Sequence, residues 1–247
     1  MINTTIEQYI ERHGFEAFHP KAVLFDMDGV IYDSMPNHAL SWHESMDYFG
    51  LKISPEEAYM YEGMRGVETI KKLVANQWNR TLDDEEAAEM YRAKTERFSM
   101  CPQAQKMKGV EQLMRQIKLH GLAICVVTGS GQPSLLNKLV DDFEGLIQAH
   151  LIVSSKDVSR GKPHPEPYLC GMERVGIKPW QGIVIENAPL GVRAAVAARL
   201  FTIAVNTGPL PDSALADEGA NLVCRNMNEA LTAFLAICHA TGIAPVQ

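Results

Sequence analysis

The sequence predicts an α/β protein: a doubly wound, Rossmann-like core built on a parallel sheet, with an α-helical cap domain inserted into it. Three observations carry that expectation. Short apolar runs bounded by turn residues recur along the chain, and such runs suit strands buried on both faces of a parallel sheet. Segments of helical length separate them, and strands alternating with helices indicate a doubly wound sheet. One long stretch, residues 36 to about 100, breaks this rhythm with helical spacing and no convincing strand.

Taken in order, residues 5–18 read as a short amphipathic helix within an N-terminal extension over 1–20. The first strand is the run Ala22-Val-Leu-Phe25, which ends in Asp26. The irregular stretch that follows is rich in Glu, Met, Ala, Trp and Tyr and lies between the first strand and the second. It is therefore expected to form a helical cap over 35–101, with hinges near Ser34 to Pro36 and Cys101 to Lys108. The core domain would comprise 1–34 and 102–247. Further strands are expected at Leu122 to Val127, Leu151 to Val153, Gly182 to Ile185 and Phe201 to Val205. Helices are expected at Val110 to His120, Gln132 to Asp142, Pro165 to Val175 and Leu190 to Ala198. The segment FTIAVNTGPL (201–210) reads as a last core strand and its turn, with no chemistry assigned.

Composition narrows the class. The 247 residues are 46% hydrophobic and 21% charged, ordinary for a globular enzyme. A formal net charge of -7 argues against nucleic acid as a partner, because binders usually present a basic face. It leaves room for an anionic substrate, since a metal ion and a few placed cations reverse the field locally. The five cysteines are scattered with no C-x-x-C pair, so they read as small buried apolar residues rather than a disulfide framework or zinc site. The first twenty residues lack the basic start and apolar core of a signal peptide, and no segment reaches the ~20 apolar residues of a membrane span. The expectation is a cytoplasmic monomer with no membrane partner.

In an open α/β sheet, ligands collect outside the carboxyl ends of the strands. Asp26, Asp28 and Gly29 follow the first apolar run; Thr128, Gly129 and Ser130 follow the second. Lys156, Arg160 and Lys162 lie after the third, and Glu186 with Asn187 after the fourth. Solvated loops would explain one such polar strand end, but four together point to a site. Asp26, the backbone around Asp28, and Asn187 supply oxygen ligands that suit Mg2+. A carboxylate nucleophile can form an aspartyl-phosphate and divide one difficult displacement into two easier ones. A second carboxyl two residues along can protonate the leaving oxygen and then deprotonate the incoming water or hydroxyl. Thr128 and Lys162 would hold the equatorial oxygens of the transferring phosphoryl group. Gly129 and Ser130 border the substrate space.

The segments DMDGVIYDS (26–34), VVTGS (126–130), GKPHPEPY (161–168) and VIENAPLGVRAA (184–195) resemble, in order and spacing, the four motifs of the haloacid dehalogenase superfamily. The resemblance covers nearly the whole chain beyond residue 20. It implies that Asp26 is the nucleophile, Asp28 the general acid/base, and Thr128 and Lys162 phosphate binders, with Asn187 and Glu186 in a Mg2+ site. It also implies that the inserted segment is a cap that opens and closes over the site. The branch most similar is the β-phosphoglucomutase-like group: His38 and Trp42 stand where that group carries a cap histidine and tryptophan, and Lys94 resembles its substrate-phosphate lysine.

Two departures matter. Family members carry an acidic pair where this chain has Glu186-Asn187, so one negative charge is missing at the metal. Glu62, in YEGMRG (61–66), falls where the mutase group presents a basic residue, and Arg65 stands one position before the group's arginine. Glu62 is therefore expected to reach the Mg2+ or its waters when the cap closes, in place of the charge lost at Asn187. Arg65 is kept as a substrate-binding cation. With the distal phosphate site altered, hydrolysis of a small phosphorylated metabolite, a sugar phosphate or pyrophosphate, is preferred over a β-phosphoglucomutase reaction. A dehalogenase would need neither metal nor Asp28, and a non-catalytic phospho-ligand-binding protein would be expected to show an eroded D-x-D.

Overall fold

The computed structural model describes residues 2–246. An N-terminal helix α1 (Ile2–His13) leads into strand β1 (Ala22–Phe25). Four helices follow: α2 (Met35–Tyr48), α3 (Pro55–Met60), α4 (Gly66–Trp78) and α5 (Asp84–Ser99). The chain then alternates: α6 (Val110–Leu119), β2 (Ala123–Val127), α7 (Pro133–Asp142), β3 (Ile152–Val153), α8 (Glu166–Val175) and β4 (Gly182–Glu186). It ends with α9 (Pro189–Ala197), β5 (Phe201–Val205), α10 (Ser213–Ala216), β6 (Leu222–Cys224) and α11 (Met227–Thr241).

The six strands form one parallel sheet in the order β3-β2-β1-β4-β5-β6. Every residue of β1 is buried, and the strand alternates between two cores because successive side chains point to opposite faces. Val23 and Phe25 join one apolar cluster with α1, α6 and α11, while Ala22 and Leu24 join another with α8 and α9. Helices on both faces explain why the strands read as continuous apolar runs rather than alternating ones. The chain leaves β1 toward β2 on one side and later returns to β4 on the other, so β1 and β4 flank the switch in strand order. Asp26 and Asn187 follow these two strands.

The helices of 35–99 enclose an apolar cluster of their own, including Trp42, Met46, Ile70, Leu73, Val74 and Met90. Local signals start them. Ser54 and Glu57 form a reciprocal capping box on α3, and Asp83 accepts from the Glu86 N–H at the head of α5. Three acidic residues, Asp84, Glu85 and Glu86, also fill the first turn of α5 and oppose the positive end of its dipole. The crossings into and out of this segment lie side by side: Asp33 N–H donates to Gln105 O at 2.9 Å and Met107 N–H to Ile31 O at 2.8 Å.

Some details differ from the sequence reading. Phe201–Val205 is not the last strand; β6 pairs beyond it at the sheet edge. Three residues are too few to show a periodicity. The first helix occupies 2–13 rather than 5–18. Of the cysteines, expected to be buried, Cys101 and Cys170 are only partly so. Gly66, the last residue of YEGMRG, is the buried first residue of α4 beneath the Tyr91 ring.

Because the helices of 35–99 have their own core, truncation there should be measurable. Leu73 is 1% exposed, and Leu73→Ala should cost about 2–5 kcal/mol of unfolding free energy by denaturant titration.

Candidate active site

Four strand ends converge as expected, and the loops between them determine what each side chain can do. After β1, Gly29 adopts φ +79, a left-handed turn that glycine accepts at low cost. Its missing Cβ leaves space for the Asn187 amide and the Met35 side chain, both of which would collide with one. The turn brings Asp26 and Asp28, 4% and 8% exposed, to the same edge as Asn187.

A buried network of charges runs behind Asp26. The Lys162 ammonium donates to Asp26 Oδ1, to Glu186 Oε1 at 2.6 Å and to the Val127 carbonyl at 3.2 Å. Burial works to lower the Lys162 pKa, but the two carboxylates more than offset it and keep the group charged above the ordinary lysine range. Burial raises the proton affinity of Asp26, with Glu186 and Asp28 adding to it against the pull of Lys162. Glu186 is fully buried and its acceptors are filled: Tyr168 donates to Oε1 at 2.7 Å, and the N–H groups of Asn187 and Ala188 donate to Oε2 at 3.0 and 3.2 Å. Glu186 was expected in the metal site. The structure instead turns it to Lys162, the Tyr168 hydroxyl and the backbone, because a carboxylate with both oxygens committed holds its neighbours in place.

A second chain of contacts runs through Asp28. Its Oδ1 accepts from the Ser34 hydroxyl at 2.6 Å and lies 3.2 Å from His38 Nε2. Lys94 Nζ lies 2.9 Å from His38 Nδ1. A charged ammonium has no lone pair to offer, so His38 Nδ1 accepts and Nε2–H donates toward Asp28. Burial pushes the Asp28 carboxyl up, yet His38, Ser34 and Lys94 hold it below its usual value. Lys94 is 3% exposed and lies over the Trp42 and Phe98 rings at 5.2 and 4.8 Å. Burial draws its pKa down to about 8 against the pull of Glu62 and Asp28.

His38, Trp42, Glu62 and Lys94 line a chamber of about 60 Å³ with Asp28, and Gly129 and Ser130 border it from the core. Thr128 sits beside it, its Oγ1 accepting from the Ser130 N–H at 3.0 Å. Burial raises the Glu62 pKa, His38 opposes this, and Asp28 adds to it, which places the three in one electrostatic neighbourhood. Arg65, expected at the substrate, does not line this chamber: Nη1 donates to the Ser159 carbonyl at 2.9 Å, and the residue lines adjoining clefts with Thr128, Gly129, Ser130 and Lys162. Tyr168 and Ser34, the latter taken only as the start of a hinge, were not among the site residues expected from the sequence. Tyr168 stands inside a quoted motif, but nothing in that motif says its hydroxyl would find Glu186.

Among the described residues, two buried side-chain oxygens lack a hydrogen-bond partner: Asp26 Oδ2 and Asn187 Oδ1. Both are oxygens of the kind a hard divalent cation takes, and orphaned buried acceptors are costly unless something fills them. Among the described residues, no three His, Cys, Asp or Glu side chains form a ready cage. One carboxylate, one amide carbonyl and retained waters nevertheless fit Mg2+, which usually binds through few protein groups.

The comparisons with known proteins agree with this arrangement. Residues 23–205 match the model of the haloacid dehalogenase-like hydrolase family. Hexitol phosphatase A of Escherichia coli K12 is 28% identical over 187 residues, covering 75% of this chain and 83% of that protein. Beta-phosphoglucomutase of Bacillus subtilis 168 is 26% identical over 218 residues, covering 85% and 91%. A solved structure of a proposed beta-phosphoglucomutase from Bacteroides vulgatus superposes with a TM-score of 0.93 at 48% identity, covering 97% of this chain and 98% of that one. With four motif-bearing loops on one sheet edge, the chain belongs to the haloacid dehalogenase-like hydrolases and is an enzyme of their phosphatase and phosphomutase kind.

Proposed function

We propose that the protein is a Mg2+-dependent phosphohydrolase that cleaves a small phosphorylated metabolite, a sugar phosphate or pyrophosphate, through an aspartyl-phosphate on Asp26. The observation that carries this reading is the pair of orphaned oxygens, Asp26 Oδ2 and Asn187 Oδ1, beside a lysine already committed to Asp26. Asp26 and Asn187, with the backbone at Asp28, would hold Mg2+. The ion, when bound, supplies positive charge that neutralises the phosphoryl group and favours ionised Asp26.

The chain's own groups do the rest. The Asp26 carboxylate attacks phosphorus while the bond to the leaving oxygen breaks, and Asp28 gives that oxygen its proton. Asp28 then takes a proton from water as the water attacks phosphorus and releases Asp26. Thr128 and Lys162 hold the non-bridging oxygens, Glu186 keeps Lys162 in place, and Gly129 and Ser130 border the substrate. Lys94 orients His38, and His38 orients Asp28. Residues 35–101 act as a cap that excludes water during the first step.

The choice of hydrolase over mutase rests on the chamber. A mutase must hold a second phosphate, yet Glu62 faces the chamber where a cation would serve, and Arg65 donates to the Ser159 carbonyl outside it. We read Glu62 as reaching the Mg2+ or its waters, in place of the charge Asn187 lacks. A chamber of about 60 Å³ also favours a small leaving group.

The decisive assay offers Mg2+ with pyrophosphate, with simple sugar phosphates, and with β-glucose 1-phosphate plus a trace of its 1,6-bisphosphate. Phosphate release that disappears in Asp26→Asn supports hydrolysis; glucose 6-phosphate with little free phosphate overturns it in favour of the mutase. Asp28→Asn should lower kcat by about 10²–10⁴-fold. Glu62→Gln should raise the Mg2+ concentration for half-maximal rate about tenfold, and unchanged metal dependence would remove Glu62 from the site. Tyr168→Phe strips one donor from buried Glu186 and should destabilise the fold by about 1–3 kcal/mol in thermal or denaturant unfolding.

A further inference from the structure

The segment that carries Glu62 touches the core at both ends, and both contacts depend on a missing side chain. At one end, Tyr59 on α3 lays its ring on Gly208: a Cβ there would stand 2.5 Å from Tyr59 Cδ1 and Cε1. At the other, Arg65 crosses Gly161, where a Cβ would stand 2.8 Å from its Cγ, and its guanidinium donates to Ser159 O at 2.9 Å. Neither core glycine has a left-handed φ, so neither is needed for its backbone conformation. Each leaves room for a cap side chain.

Both seats are fastened to the catalytic loops. Thr207 donates to the Gly29 carbonyl at 2.7 Å, and Asn206 donates to Leu210 O at 2.8 Å and Asp212 Oδ1 at 2.6 Å. The turn at 206–210 is thereby tied to the loop bearing Asp26 and Asp28. Ser159 donates through N–H and Oγ to Glu166 Oε1 at 2.7 and 2.8 Å, and it lies three residues before Lys162. Between the two seats, Gly63 at φ +84 lies against the Lys162 stem, with a Cβ position 2.9 Å from Cδ. The loop thus rests on the core at three points, with Glu62 beside the middle one.

The geometry points to a two-ended clamp: Tyr59 on the Gly208 turn and Arg65 on Gly161 and Ser159 are positioning residues that set cap closure and deliver Glu62 to the Asp28 side of the chamber. Arg65 thus serves the reaction without touching substrate, and the 206–210 turn is the dock for the cap. The inference rests on the reading of Glu62 given above. It adds what determines where Glu62 stands.

The test fills the seat from the core side and leaves the cap sequence intact. Gly208→Ala puts a methyl group where the Tyr59 ring sits; Gly161→Ala does the same to Arg65. Four proteins suffice for the kinetics: wild type, Gly208→Ala, Glu62→Gln and the double variant, assayed with Mg2+ and para-nitrophenyl phosphate. Gly208→Ala should lower kcat/KM about 10- to 100-fold with an unchanged thermal midpoint, the scale expected when a catalytic group is misplaced by about an ångström. In the Glu62→Gln background the same change should cost less than about twofold, because both act through one group. Backbone amides of 59–66 should exchange hydrogen faster in Gly208→Ala and Gly161→Ala, with the sheet unchanged. This readout needs neither metal nor substrate.

Wild-type rates and wild-type exchange in Gly208→Ala, with Glu62→Gln impaired, would overturn the clamp and leave the Glu62 reading standing. Equal losses in both backgrounds would also overturn it, since the seat would then act through something other than Glu62. A fully active Glu62→Gln would end the reading of Glu62 and the proposal with it.

Discussion

The position of one ammonium group constrains the rest of the site. Lys162 lies in the protein interior between two carboxylates, Asp26 and Glu186, and none of the three tolerates burial alone. One cation cannot balance two anions, so with both carboxylates ionised the cluster carries one negative charge in excess. The fold manages the surplus at Glu186 with a tyrosine hydroxyl and two backbone N–H groups from the turn into α9. Burial, with the neighbouring Glu186 carboxylate, keeps the Tyr168 hydroxyl protonated and hence a permanent donor. At Asp26 the surplus stays: Oδ2 has no donor. A site that satisfies one carboxylate and leaves the other open has assigned them different work.

The helical architecture follows from this arrangement. Asp26 follows β1, Glu186 ends β4, and Lys162 lies on the loop from β3 to α8; a parallel sheet brings the carboxyl ends of these three strands to one edge. Tyr168 reaches Glu186 from α8, which packs across β1 and β2 through Leu24, Cys125 and Val127. The same helix therefore supports the apolar core and a donor of the catalytic network. Destabilising either would be felt in the other.

Much of this was legible in the sequence because it rests on local pattern. Buried parallel strands announce themselves as short apolar runs, and the residues after them are the site by topology alone. Asp26, Asp28, Thr128, Lys162 and Asn187 were singled out in this way as candidates, and the structure gathers them at one edge of the sheet. What escaped was non-local. β6 pairs over three residues at an edge, too short for a period. Glu186 could be placed at the site from sequence, but which of its partners claimed its oxygens depends on Tyr168 and a helix-entry turn. Arg65 was read by its charge and its near-register with a known arginine. Its actual partner, the Ser159 carbonyl, is 94 residues away in sequence.

The cap shows the same division. Its helices have readable starts, and Glu62 was singled out because a carboxylate replaced an expected cation. Nothing in the linear pattern could reveal that Tyr59 needs Gly208 or that Arg65 needs Gly161, since a glycine that makes room looks the same in sequence as a glycine that makes a turn. The backbone angles separate the two. Gly29 and Gly63 lie in the left-handed region, while Gly161 and Gly208 do not, so the latter pair are small because something else occupies the space. Both occupants flank Glu62, Tyr59 on the last turn of α3 and Arg65 just before α4. A carboxylate aimed at a phosphate pocket is a liability unless its distance from the ionised centre is controlled, because at ångström scale in a poorly solvated chamber a small displacement turns a ligand into a repulsive charge. Two contacts on core loops, one tied to the Gly29 turn through Thr207 and the other next in sequence to Lys162, would give that control at both ends of the segment.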